Sequence, residues 1–211
     1  MNSTTNISCT FFYLLLNRTD RIYNYEMTKK AIPDLKVFHS YDYSKVDILR
    51  EFRKMRMRFK DMTFNSYGML ANGVTKLRAF EYQIKMNIPY AIFLEDDVLV
   101  FDEKFTDTAC NYLVNQQNGL VRFGVWGEAY ASSYNGAKYV MRRFCEKGIT
   151  RNIDDQLNEF IHYSPNGQVN GWSLKAKTNR GHISESKHYD KLKLRGATRK
   201  YNKSTCDLYG K

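Results

Sequence analysis

The chain has 211 residues, 43% of them hydrophobic and 15% aromatic, which suits one full-sized domain with a real core and is too short for two comfortable ones. Three prolines and 12 glycines leave little room for a disordered linker. A formal charge of +11, from 33 basic and 22 acidic residues, points to an anionic partner: nucleic acid, an anionic membrane or a nucleotide diphosphate.

Residues 1–8 are polar, and Phe11 to Leu16 reads as a first buried strand. It ends in Asn17-Arg18-Thr19-Asp20-Arg21, a basic loop placed at a strand's carboxyl end to meet a phosphate or base. An ordinary capped turn before a helix over Ile22 to Ala31 is the competing reading. Leu35 to Phe38 alternates as a second strand. Val46 to Lys60 reads as a basic helix carrying Arg50, Arg53, Lys54, Arg56, Arg58 and Lys60, either a solvated face or a surface for membrane or nucleic acid. Gly73 to Asn87 has Val74, Leu77, Phe80 and Ile84 near a helical period, with Lys76 and Arg78 on its polar side.

Next comes Tyr90-Ala91-Ile92-Phe93-Leu94-Glu95-Asp96-Asp97-Val98-Leu99-Val100-Phe101: five apolar residues, three carboxylates and four more apolar residues. The first run predicts a strand buried on both faces, as in a mostly parallel sheet. Carboxylates at the edge of such a core need a cation. In open α/β sheets ligands collect beyond the carboxyl ends of the strands. Mg²⁺ and Mn²⁺ take one or two protein carboxylates and fill their shells with water and phosphate oxygens. Glu95 and Asp97 are therefore candidate metal ligands, and Asp96 between them points to the opposite face and props the loop. An acidic turn paired with lysines is the plainer alternative.

Further helices are expected around Phe105, Ala109 and Leu113, over Gly136 to Lys147, and from Ile153, with Asn152 as N-cap and Asp154 and Asp155 in the first turn. Leu120 to Val125 reads as a strand, Asn166-Gly167 and Asn170-Gly171 as turns around short strands including Trp172 to Leu174, and Lys187 to Lys203 as a solvated tail or a docking strap. The alternation predicts a single α/β domain over residues 1–211, with a mainly parallel, doubly wound sheet, and the polar ending is what a first module of a longer protein would show. Cys9, Cys110, Cys145 and Cys206 lie far apart without zinc-ligand spacing and read as reduced thiols of a cytoplasmic protein. Thr10 to Leu16 is too short to span a bilayer and makes a poor signal peptide. The glycosylation sequons at Asn2, Asn6, Asn17 and Asn202 are then chance patterns.

An acidic triplet at a strand end, a basic loop and a positive chain together suggest a metal-bridged nucleotide diphosphate. No P-loop or kinase glycine loop is present, which leaves glycosyl transfer ahead of phosphoryl transfer. Leu16-Asn17-Arg18-Thr19-Asp20-Arg21 resembles the Leu-x-Arg-x-x-Arg opening of the glycosyltransferases of family 25, which modify lipopolysaccharide and collagen. The helix from Gly73, Phe93-Leu94-Glu95-Asp96-Asp97-Val98, Ala129-Tyr130 through Gly136-Ala137-Lys138, and Ile153-Asp154-Asp155-Gln156-Leu157 are similar to that family's later motifs, in order, over residues 10–160. The chain as a whole also resembles the N-terminal domain of capsid-modifying glycosyltransferases of large chlorella viruses. The resemblance implies a GT-A fold, a divalent metal (Mn²⁺ or Mg²⁺), a UDP-sugar donor such as UDP-L-rhamnose or UDP-glucose, and a glycan or glycoprotein acceptor.

It also sorts the candidate residues. His182, in Arg180-Gly181-His182-Ile183, is the candidate further metal ligand, and a surface histidine otherwise. Asp155, or Asp154, is the carboxylate facing the reacting sugar, with Asp155 favoured. Leu16, Asn17, Arg18, Arg21, Lys76 and Arg78 are nucleotide or diphosphate contacts. Tyr13 is a candidate to stack on uracil, and Trp126 and Trp172 to stack on sugar, against core packing for each. A nucleic-acid-binding module and a glycoside hydrolase are the rivals. The first has no recognizable signature here, and the second has no use for a basic diphosphate loop.

Overall fold

Phe11, Tyr13 and Leu15 of β1 (Thr10–Leu15) project to one side of a sheet, and Phe12 and Leu14 to the other. That alternation, with every residue from Phe11 to Leu15 buried, fixes a strand covered on both faces. The computed structural model describes residues 8–59, 62–64, 67–100, 104–116, 119–123, 129–163, 167–170 and 192–194, together with Cys206 and Tyr209. In chain order α1 (Thr19–Ala31), β2 (Lys36–His39), α2 (Ile48–Lys54), β3 (Met62–Phe64), α3 (Tyr67–Lys85) and β4 (Tyr90–Glu95) follow β1. Then come α4 (Phe105–Val114), β5 (Leu120–Phe123), β6 (Ala129–Ser133), α5 (Tyr134–Lys147), α6 (Ile153–Tyr163), β7 (Gly167–Asn170) and β8 (Leu192–Leu194).

The main sheet has six strands in the order β2-β1-β4-β6-β5-β7. β1 runs parallel to β2 and β4, and β5 parallel to β7, while β6 is antiparallel to both neighbours. The domain is thus α/β with a mixed sheet, parallel in its β2-β1-β4 half. One core packs α1 and α4 on Phe11, Tyr13, Leu15, Ile92 and Leu94. The other packs α2, α3, α5 and α6 on Phe12, Leu14, Ala91, Phe93 and Tyr130. After β1 the chain turns to β2 on one flank, and later places β4 on the other. The sheet's switch point therefore lies at the carboxyl ends of β1 and β4.

Several elements differ from the sequence reading. β6 was not anticipated: Ala-Tyr-Ala-Ser-Ser has no apolar run, yet all five residues are buried. The helix expected over Val46 to Lys60 is α2 alone. Arg56 adopts φ 58, the left-handed region that ends helices, just past the cap at Met55. Asn152 does cap α6, accepting from the Asp154 N–H at 3.4 Å. Part of the basic tail is a strap, since β8 pairs antiparallel with β3. The strand expected at Trp172 to Leu174 lies outside the described residues.

The cysteine expectation is overturned. Cys9 pairs with Cys110 and Cys145 with Cys206, tying the residue just before β1 to α4, and α5 to a C-terminal residue. Such bridges persist in oxidising surroundings rather than in a reducing cytosol. Among the described residues no helix is long and apolar enough to cross a membrane.

Candidate functional site

Alternation along β4 places Glu95, and the turn that follows places Asp96 and Asp97 together beside Arg21. Glu95 continues the Ala91 and Phe93 face toward α3, and Asp96 falls on the α1 face. On the α1 side, Asp96 Oδ2 accepts from the Leu16 backbone N–H at 3.1 Å, and Asn24 donates to the Asp96 carbonyl. Arg21, nearly buried, lies 3.4 Å from Asp96 and 4.0 Å from Asp97. Burial raises the Asp96 carboxyl even against the pull of Arg21. Asp96 thus ties the loop after β1 to the loop after β4. Tyr13 and Thr28 complete that tie by donating to the Val98 carbonyl at 2.8 and 3.1 Å.

On the α3 side, Lys76 is buried with its ammonium against both Glu95 and Asp154 and 4.9 Å above the Tyr130 ring. Gly73, one turn earlier on α3, allows this. A Cβ there would collide with the Ile153 side chain, so its absence lets α6 approach and deliver Asp154. Burial works against the charged ammonium, but Glu95 and Asp154 outweigh it and hold Lys76 well above its usual range. Burial raises Glu95, Lys76 pulls it back, and Asp154 and Asp97 raise it again, leaving it up at about 7. Tyr130 was missed as a site residue. It is 2% exposed, and its hydroxyl has no hydrogen-bond partner among the described residues. Only the register of β6 beside β4 brings it here.

A cleft of about 500 Å³ opens beside these loops, lined by Leu15, Leu16 and Asn17 after β1 and by Phe38, His39, Ser40, Tyr41, Asp42, Lys45 and Val46 after β2. Its volume suits a nucleoside-sized ligand. The sequence reading found Leu16 and Asn17 but not the β2 side of this cleft, because nothing local to Phe38-His39-Ser40-Tyr41 marks it. Only the parallel pairing of β1 and β2 does.

Other expected contacts are placed elsewhere. Tyr13 is fully buried and cannot stack on a base. Arg78 points away to Glu51 (2.8 Å) and Glu81. Lys76 is committed to its two carboxylates, and Arg21 to Asp96 and Asp97. Arg18, half exposed and paired among the described residues with exposed Asp20 alone, can swing toward a phosphate. Asp154 meets Lys76, whereas Asp155 is exposed. His182, Trp126 and Trp172 lie outside the described residues.

Among the described residues no group of three or more His, Cys, Asp and Glu side chains is arranged to hold a metal. Asp97 nevertheless suits one: its Oδ1 is buried and has no hydrogen-bond partner among the described residues. A hard divalent cation that takes its other ligands from water and phosphate needs few such carboxylates. Glu95, held by Lys76, is the poorer ligand. No protein-family model matches the chain, and no curated protein matches it in sequence.

Proposed function

We propose that the chain is a metal-dependent glycosyltransferase with a GT-A-like fold, moving a sugar from a UDP-sugar to a glycan on a protein. The observation that carries this is the Asp97 oxygen at the sheet's switch point, unpartnered among the described residues and joined through Asp96 and Leu16 to a nucleoside-sized cleft. UDP-glucose and UDP-L-rhamnose, and a viral capsid glycan as acceptor, rest on the family resemblance alone. The two disulfides favour an oxidising compartment over the cytoplasm as the place of work.

In this reading Leu16 and Asn17 form one wall of the nucleoside site, and Arg18 swings onto the diphosphate. Asp97 is the residue that would hold the cation, whose chemistry is to neutralise the departing diphosphate. Arg21 keeps the Asp97 carboxylate aimed. Lys76 fixes Asp154 beside Glu95, so that a carboxylate faces the sugar to serve as base or to stabilise positive charge. Release of UDP from UDP-glucose and UDP-L-rhamnose with and without Mn²⁺, against GDP- and CMP-sugars, tests the reading. Mn²⁺-dependent release confined to UDP donors is expected, and release equal in all three nucleotide classes would contradict it.

A further inference from the structure

Tyr43 and Tyr67 are large aromatic residues left in solvent, at 52% and 45% exposure, and they stack on each other with centroids 6.3 Å apart and planes 21° from parallel. Tyr43 belongs to the loop between β2 and α2, whose Tyr41, Asp42, Lys45 and Val46 line the cleft. Tyr43 is thus carried by the loop that walls one side of the cleft, and Tyr67, at the start of α3, stacks on it. Two stacked tyrosines offer a flat, partly apolar face that is already ordered, so a sugar ring can settle on it with little loss of side-chain freedom.

Directly after this loop comes α2. Its Ile48 and Phe52, with Met55 at its cap, enter the core, while Arg50, Arg53 and Arg56 are exposed. Residues 45–60 hold seven basic side chains against two acidic ones. Arg56 occupies a left-handed position where glycine fits best, so a charged side chain stands where the backbone would prefer none.

We propose that the Tyr43–Tyr67 pair and the arginines of α2 form a docking surface for an acidic oligosaccharide. Calling that oligosaccharide the acceptor rests on the transferase reading; the surface itself does not. The apolar face of α2 is already used in the core and cannot enter a bilayer. Single-stranded nucleic acid is bound on a row of stacking platforms along a basic groove, whereas this surface offers one tyrosine pair. Sugars carrying carboxylates or sulfates match both the flat face and the charge.

The test is titration at physiological salt with a hexamer of galacturonic acid, a heparin hexasaccharide, neutral maltohexaose and the oligonucleotide (dT)₁₀. At least one acidic hexasaccharide should bind more tightly than maltohexaose and (dT)₁₀. Its affinity should fall at least tenfold both in Tyr43→Ala/Tyr67→Ala and in Arg50→Ser/Arg53→Ser, with Mn²⁺-dependent UDP binding unchanged. Failure of both acidic hexasaccharides to bind, tighter binding of (dT)₁₀, or an unaffected tyrosine variant would overturn the proposal. Intact hexasaccharide binding in a protein that ignores UDP would leave the surface standing and remove the transferase reading.

Discussion

The Lys76 ammonium bridges from α3 to the Asp154 carboxylate at the start of α6, and it also holds Glu95 at the end of β4. Removing a partner from a buried ion pair leaves uncompensated charge, which costs about 3–5 kcal/mol. Lys76→Met should therefore lose stability on that scale in chemical denaturation, and adding Glu95→Gln should recover part of it. A Lys76→Met protein as stable as wild type would show that the bridge carries no structural role.

Asp154, not Asp155, is the carboxylate brought to the site. Asp154→Asn should lower turnover roughly 10²-fold with UDP-sugar affinity within a few-fold, while Asp155→Asn stays near wild type. Gly73→Ala should mimic part of the Asp154 effect by pushing Ile153 and α6 away, at about 1–3 kcal/mol of stability. Steady-state kinetics of the three variants check this, and the reverse order of the two aspartates would move the role to the exposed residue.

The pH dependence of the Glu51 carboxylate and its two cations has a definite sign. Burial raises the Glu51 carboxyl, but hydrogen bonds from Lys54 and Arg78 outweigh it and hold Glu51 below its ordinary range. A lowered carboxyl contributes stability above its unfolded value of about 4.3, which is lost as pH falls through the folded value. The stability gap between wild type and Glu51→Gln should be full at pH 7 and close on acidification below about pH 4. A gap that widens in acid would contradict the assignment.

Both disulfides close long loops, with sequence separations of 101 and 61. Removing either pair by Cys→Ser substitution should cost about 2–5 kcal/mol. Thiol counting on the denatured, unreduced protein should find none of the four cysteines free. Four reactive thiols would restore the reduced reading.

Much of the frame was legible because it is local. Buried runs in β1 and β4 and the 3.6-residue period of α3 declare themselves, but the alternation expected through Glu95-Asp96-Asp97 stops with β4 at Glu95, and Arg21 meets Asp96 and Asp97 on the same side. What was illegible depends on register and topology. Reversed β6 carries Tyr130 beneath Lys76 through pairing with β4, and β2 forms half the cleft only by lying beside β1. Lys76 and Arg78 look alike in sequence, but two helical positions separate them by about 200°, enough to send one to the acids and the other to Glu51. The cysteine pairs join residues with no sequence signal of proximity.

The central claim is that Asp97 anchors a cation for a uridine diphosphate. Calorimetric titration of UDP, with and without Mn²⁺, into wild type and Asp97→Asn tests it most directly. The account predicts binding by wild type only when Mn²⁺ is present, and none by a folded Asp97→Asn protein in either condition. Equal UDP binding by the two proteins, or binding by wild type that ignores Mn²⁺, would contradict it.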